Sequence, residues 1–151
     1  MLHGALWDPE IAPNTGNIAR LCAATGATLH LIGRLGFRLD DRALRRAGLD
    51  YWPHVEVRRH VTFADFTSAL PAARLLCFSA RATRPYTAVR YQDGDCLLFG
   101  GETHGLPPDI LAPHAEHTYV IPMPAGKVRS LNLATAAGIV LYEALRQVHK
   151  W

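Results

Sequence analysis

The chain has 151 residues, 49% hydrophobic and 19% charged, which predicts a single globular domain spanning 1–151 with its own core and excludes a disordered tract. No apolar run reaches the length of a membrane-spanning helix, and no membrane partner is expected. A net charge of +3 and a pI of about 9.0 suit a nucleic-acid partner without establishing one.

In chain order, residues 2–7 read as a short apolar strand ending at Trp7. Asp8–Pro13 reads as a rigid loop, and Asn14-Thr15-Gly16-Asn17 as a turn that also offers helix caps. Ile18, Leu21, Cys22 and Thr25 mark one side of a helix stopped by Gly26. Thr28–Ile32 reads as a buried strand closed by Gly33 and Gly36. Asp40–Ala47 is a short charged helix ended by Gly48, Val55–Arg58 a strand, and Thr62–Leu70 a helix capped by Thr62. Strands follow at Leu75–Ser79, Cys96–Phe99 and Tyr119–Ile121, with a helical turn at Pro107–Leu111. Strands alternating with helices throughout predict an α/β fold with a mostly parallel sheet flanked by helices.

The most informative stretch is 119–145: a strand, a Pro/Gly loop carrying Lys127 and Arg129, then a long helix. Leu133, Ala136, Ala137, Val140, Leu141, Ala144, Leu145 and Val148 recur in steps of three and four, giving one apolar face. Ser130 or Asn132 stands where the N-cap belongs. A helix start with such neighbours can hold a carboxylate or phosphate, or Ser130 can simply cap a core helix.

Cys22, Cys77 and Cys96 are odd in number and each lies in an apolar run, as expected of reduced core thiols in a cytoplasmic protein. The N-terminus lacks a basic segment followed by an apolar core, so no signal peptide is expected. Among eight histidines only His114 and His117 stand close together, without Cys or carboxylate at ligand spacing. No metal is expected.

In open α/β sheets ligands collect beyond the carboxyl ends of the strands. Three loops there are unusual: Pro13–Arg20, Phe99–Leu106, and Ile121-Pro122-Met123 through Arg129-Ser130-Leu131-Asn132. Their glycines permit close backbone approach to a flat ligand, and Glu102 and Arg20 supply one charge of each sign. Singly, each also reads as an ordinary turn or cap. Gly100, Gly101 and Gly105 do not have dinucleotide-fingerprint spacing, and Walker lysine, nucleophile-elbow and zinc-protease motifs are missing. A nucleotide hydrolase or dehydrogenase is therefore disfavoured.

Together and in this order, the loops resemble the three motifs of the SPOUT class of RNA methyltransferases. More narrowly, the chain is similar to the small bacterial tRNA (cytidine/uridine-34-2′-O)-methyltransferases, the TrmL group. The resemblance covers essentially the whole chain: Pro-Asn-Thr-Gly-Asn-Ile at 13–18, Arg-Arg-Ala-Gly-Leu-Asp-Tyr at 45–51, Tyr-Gln-Asp-Gly-Asp at 91–95, Phe-Gly-x-Glu-Thr-x-Gly-Leu at 99–106, and Ile-Pro-Met with Arg-Ser-x-Asn-Leu downstream. It implies a deep C-terminal trefoil knot (an exception to the usual rule), S-adenosylmethionine as cofactor, tRNA as partner, a homodimer with the site near the subunit interface, and no membrane or metal.

The resemblance also implies roles for residues. Arg20 matches the proposed catalytic arginine acting on the ribose 2′-OH, with Asn14 and Ser130 as further catalytic candidates. Phe78, Gly100, Glu102, Gly105, Ile121, Met123, Ser130, Leu131 and Asn132 match positions that shape the methyl-donor pocket. Arg129, Lys127, Arg45 and Arg46 are the RNA-binding candidates. Gly101 stands where many relatives have Pro, which is expected to be harmless. The implied target is the wobble nucleotide of leucine-type tRNAs. Another tRNA position, ribosomal RNA, or a non-catalytic RNA-binding module with the same fold remain as alternatives. The chemistry fits the residues: methyl transfer from a sulfonium needs an aligned oxygen and help losing its proton, not a metal or covalent nucleophile.

Overall fold

The computed structural model describes residues 1–40, 42–48 and 51–151. Six strands, His3–Trp7 (β1), Thr28–Ile32 (β2), Val57–His60 (β3), Leu75–Phe78 (β4), Cys96–Gly100 (β5) and Thr118–Tyr119 (β6), form one sheet. The order is β3-β2-β1-β5-β4-β6 and every pairing is parallel. Burial on both faces explains why β2, β4 and β5 read as continuous apolar runs rather than alternating ones.

Alternation along each strand still decides which face a side chain serves. Leu6, Leu76, Phe78, Leu97 and Phe99 join a core with helices α1 (Ala12–Thr25) and α5 (Leu133–His149). Ala5, Cys77, Cys96 and Leu98 turn to the other face, toward Phe66 of α3 (Phe63–Ala69) and Ile110 of α4 (Pro108–Leu111). A further helix, α2 (Arg42–Gly48), packs against α1. All three cysteines are buried free thiols, and burial pushes Cys22 and Cys77 up to about 12. They are inert packing groups.

Several boundaries differ from the sequence reading, each for a physical reason. Asn14–Asn17 is not a turn but part of α1, which starts at Ala12 with Pro13 in its first turn. Proline costs no hydrogen bond there. The N-cap residue Ile11 has no capping side chain, and the terminus is satisfied from afar, as described below. Strand β3 begins two residues late because a 3-10 turn, Trp52–His54, takes Val55 as its cap. Strand β6 ends at Tyr119 because β4 has run out. Val120 instead exchanges bonds with Arg84 and Tyr86, both at 2.8 Å. Asn132, not Ser130, caps α5, its side chain accepting from the Thr135 N–H. Gly26 ends α1 at φ 78° as expected, and Thr62 caps α3. Asp41 of the expected 40–47 helix and 49–50 of the 45–51 motif lie outside the described residues.

The Tyr91–Asp95 motif serves the fold. Asp95, 2% exposed, takes a forked pair of bonds from Arg74 at 2.9 and 2.7 Å and a third from the Gln92 N–H at 2.8 Å. This fastens the loop that leads into β5.

Candidate active site

Strand β1 lies between β2 and β5, with the order running outward through β3 on one side and through β4 and β6 on the other. The β1/β5 boundary is a topological switch point, where the loops leaving two neighbouring strands part and open a crevice. Their backbones come very close. A Cβ on Gly100 would lie 2.0 Å from the Gly105 carbonyl carbon, and one on Gly101 2.3 Å from the Asp8 oxygen. Gly101 therefore does not interchange with Pro in this backbone, contrary to expectation: any Cβ there meets the β1 loop. Gly105, at φ 63°, turns the loop back so that its N–H reaches the Gly101 oxygen at 2.9 Å.

Side chains lock the two loops reciprocally. Glu102 accepts from the N–H groups of Glu10 (2.8 Å) and Ile11 (3.0 Å) and from Asn14 Nδ2 (3.0 Å). Glu10 in turn accepts from the Thr103 N–H (3.0 Å) and hydroxyl (2.7 Å). Those two bonds, the hydroxyl's foremost, hold the Glu10 carboxyl below its usual range. Glu102 thus serves as the cap that α1 lacks locally, its charge facing the positive end of the helix. Asn14 Oδ1 accepts from Asn132 Nδ2 at 3.0 Å, and Asn132 Oδ1 caps α5. One row, Glu102–Asn14–Asn132, therefore joins all three loops singled out in the sequence. Each amide is oriented by its partners.

Beside this row, at the carboxyl ends of β4, β5 and β6, opens a cleft of about 470 Å³. Its floor includes Phe78 and Phe99, stacked 5.1 Å apart. Of the expected pocket residues, Phe78, Gly100, Glu102, Gly105, Ile121, Met123, Ser130 and Leu131 line it. Asn132 and Asn14 do not, and act on its wall through the hydrogen-bonded row. Arg129, expected at RNA, also lines the cleft.

The remaining candidates stand elsewhere. Arg20 is exposed on α1, outside the cleft, its guanidinium carbon 4.7 Å from the Tyr51 ring centre. Arg45 packs over Trp52 at 4.9 Å, while Arg46 and Lys127 are exposed. Arg81 and His104, neither assigned to the pocket from sequence, also line the cleft, and Glu10, given no role there, clamps Thr103. Arg81 follows β4 and His104 sits inside the second motif, so adjacency to Phe78 and Glu102 was the available signal. Glu10 had none.

A flat, partly apolar cleft at a switch point, walled by glycine backbone, defines an α/β domain built to hold a nucleotide-like small molecule. The SpoU rRNA Methylase family model matches residues 1–142. The chain belongs to the SpoU methyltransferase family. It is 50% identical to the tRNA (cytidine(34)-2′-O)-methyltransferase of Escherichia coli K12, over 98% of this chain and 94% of the relative. A solved structure concerned with 2-OH methylation of C/U34 on tRNA superposes with a TM-score of 0.95 at 53% identity, covering 100% of this chain and 98% of that one. An AdoMet-bound rRNA methyltransferase from Sinorhizobium meliloti gives 0.85 at 30% identity, covering 96% of this chain and 56% of that one. The fold class and family expected from the motifs are borne out.

Proposed function

We infer that this protein transfers a methyl group from S-adenosylmethionine to the ribose 2′-oxygen of the wobble nucleotide, cytidine or modified uridine 34, of tRNA, with leucine isoacceptors among its substrates. The observation that carries the reading is the cleft at the switch point, in which three motif loops separated in sequence are bonded into one wall. The near full-length likeness to the E. coli wobble enzyme favours that target over ribosomal RNA or another tRNA position.

The lining suits the donor. Phe78, Phe99, Leu106, Ile121 and Leu131 offer apolar contact to a flat base, and close glycine backbone keeps the cleft thin. When bound, the donor supplies an electrophilic methyl group on a sulfonium sulfur. Glu102, Asn14 and Asn132 hold the wall, so Asn14 acts by position and not by touching substrate. Ser130 and Arg129 stand at the cleft and receive the RNA sugar-phosphate, joined by Lys127, Arg45 and Arg46 on the surface.

The 2′-oxygen gains the methyl as it gives up its proton to phosphate or water. Arg20, always protonated, is no base. Its guanidinium lowers the cost of negative charge on that oxygen. Because Arg20 lies outside its own subunit's cleft, the reading includes a homodimer in which Arg20 of the partner subunit faces it. The exposed Ile11 and Tyr142 on the α1 and α5 side fit such an interface. The trefoil knot belongs to the same reading, with Val120, Ile121, Met123 and Arg129–Leu131 lining the cleft before α5 packs back on α1 and β5. So does a cytoplasmic location; no helix among the described residues is long and apolar enough to cross a membrane.

The test is transfer of labelled methyl to total bacterial tRNA followed by nucleoside mapping. Label at 2′-O-methylated position 34 is expected. Label only in ribosomal RNA or at another tRNA position would overturn the target, and donor binding without transfer to any RNA would favour the non-catalytic module.

A further inference from the structure

Among the described residues, Arg59 commits its guanidinium to the Leu31, Gly33 and His60 carbonyls. Arg38, Arg58, Arg74 and Arg146 spend donors on carboxylates, Asp40, Glu56, Asp95 and Glu143 respectively. Arg20 has, among the described residues, an aromatic face instead: its guanidinium carbon lies 4.7 Å from the centre of the Tyr51 ring. This is within the range of a cation–π contact.

The difference matters chemically. A carboxylate takes up one or two of the five guanidinium N–H groups and offsets their charge. A ring face takes up none, leaving the donors along the edge of the plane for an oxygen ligand. Arg84, which also lies over a ring, at 5.2 Å from that of Tyr119, is not so left: its Nη2 is bonded to the carbonyls of Ala115 and Glu116. Arg20 combines exposure, a fixed plane and uncommitted donors among the described residues.

Tyr51 is itself anchored. It is the N-cap of the Trp52–His54 turn, its carbonyl accepting from the His54 N–H at 2.8 Å, and its side chain is half-buried. The next residue repeats the arrangement: Trp52 lies 4.9 Å beneath Arg45, whose Nε also donates to the Leu39 carbonyl at 3.1 Å. Two consecutive aromatic residues thus hold guanidinium groups from α1 and α2, the two helices that pack together.

We propose that Tyr51 is the positioning residue for Arg20, its ring face fixing the plane of the guanidinium that meets the ribose oxygen. The proposal rests on the reading of Arg20 as the group at the 2′-oxygen. Loss of the ring frees the Arg20 side chain, and the rate falls through misorientation while the methyl-donor cleft, which neither residue lines, is untouched.

The experiment is single-turnover methyl transfer to tRNA by the full-length protein with Tyr51 replaced by Phe, by Leu, and by phenylalanines of increasing ring fluorination. Tyr51→Phe should retain the rate to within about twofold, and Tyr51→Leu should lose about tenfold or more. S-adenosylmethionine affinity should be unchanged in both. The fluorinated rings, equal in shape, should slow transfer progressively as the ring face loses negative potential. A rate indifferent to fluorination, or a Tyr51→Leu rate equal to wild type while Arg20→Ala is inactive, overturns the proposal and leaves the role of Arg20 standing. Full turnover by Arg20→Ala overturns the role of Arg20 itself, and the proposal with it. In the Arg20→Ala background, Tyr51→Leu should add nothing.

Discussion

Two rows of three hydrogen-bonded side chains cross this molecule. On the β5 side, Glu102, Asn14 and Asn132 join three loops beyond the strand ends. On the β1–β2–β3 side, His3 Nδ1 meets His30 Nε2 at 3.0 Å and His30 Nδ1 meets His60 Nε2 at 2.9 Å, across three neighbouring strands. The amide row has a fixed direction, since an amide nitrogen only donates and its oxygen only accepts. The imidazole row is directional only while His30 is neutral, donating to one neighbour and accepting from the other. A proton on His30 gives it two donors and reverses one bond. One row holds the cleft wall through two amides whose donor and acceptor ends cannot exchange. The other ties strands together with imidazoles whose ends can.

The surroundings sharpen the contrast. His30 is fully buried against the Phe66 ring, 5.5 Å between centres, and burial first, then His3, His60 and Arg58, push it down to about 3. Glu56 opposes weakly. His60 faces Arg58, Arg59 and Asp65; His3 faces Arg58, the N-terminus, Glu56 and Asp93. Both are also lowered, chiefly by burial.

The largest expected effect comes from breaking the amide row at its acceptor. Glu102→Gln keeps one oxygen and turns the other into an NH2 that faces either the Glu10 N–H or the Ile11 N–H and Asn14 Nδ2, so at least one donor of the row loses its acceptor. A loss of about 3 kcal/mol follows, with a fall of about 6–12 °C in the unfolding midpoint. Thermal unfolding checks it, and donor affinity should fall in parallel because the wall loosens.

Next is acid. Unfolded His30 titrates near 6.5 and folded His30 near 3, so between these values the unfolded chain binds a proton that the folded chain refuses. Its contribution is complete above the unfolded value and is lost as pH falls from there toward 3. Between pH 7 and pH 5 this single residue should remove about 2 kcal/mol. Denaturant titrations at the two pH values measure it. In His30→Gln the slope should shrink by that amount, whatever the substitution does to stability at pH 7. Smallest is Gly101→Ala. Its Cβ meets the Asp8 oxygen and pushes the β1 and β5 loops apart, at a cost at the low end of overpacking, about 1 kcal/mol. Donor affinity in the variant should fall more than stability does.

What could be read from the sequence was whatever local pattern decides. Strand β2, the Gly26 stop, the Thr62 cap and the apolar face of α5 were legible because neighbouring residues suffice to specify them. The three site loops were legible by their order and likeness to a family. What escaped depends on distant partners. Ile11 is a poor cap by sequence, and only Glu102, arriving from β5, explains why α1 begins there. His3, His30 and His60 look isolated, yet the parallel register sets His3 opposite Thr28 and His30 opposite Arg58, which lines the three rings up on one face. The position of Arg20 away from the cleft could not be seen either, because helical phase separates it from Asn14 on the same helix.

The most direct measurement is a crystal structure with S-adenosylhomocysteine, the demethylated form of the donor, together with its binding constant. The account predicts the molecule in the cleft between Phe78, Gly100, Ile121 and Leu131, with the Glu102–Asn14–Asn132 row intact beside it. Density elsewhere on the protein, or in that cleft only after the row has come apart, would contradict it.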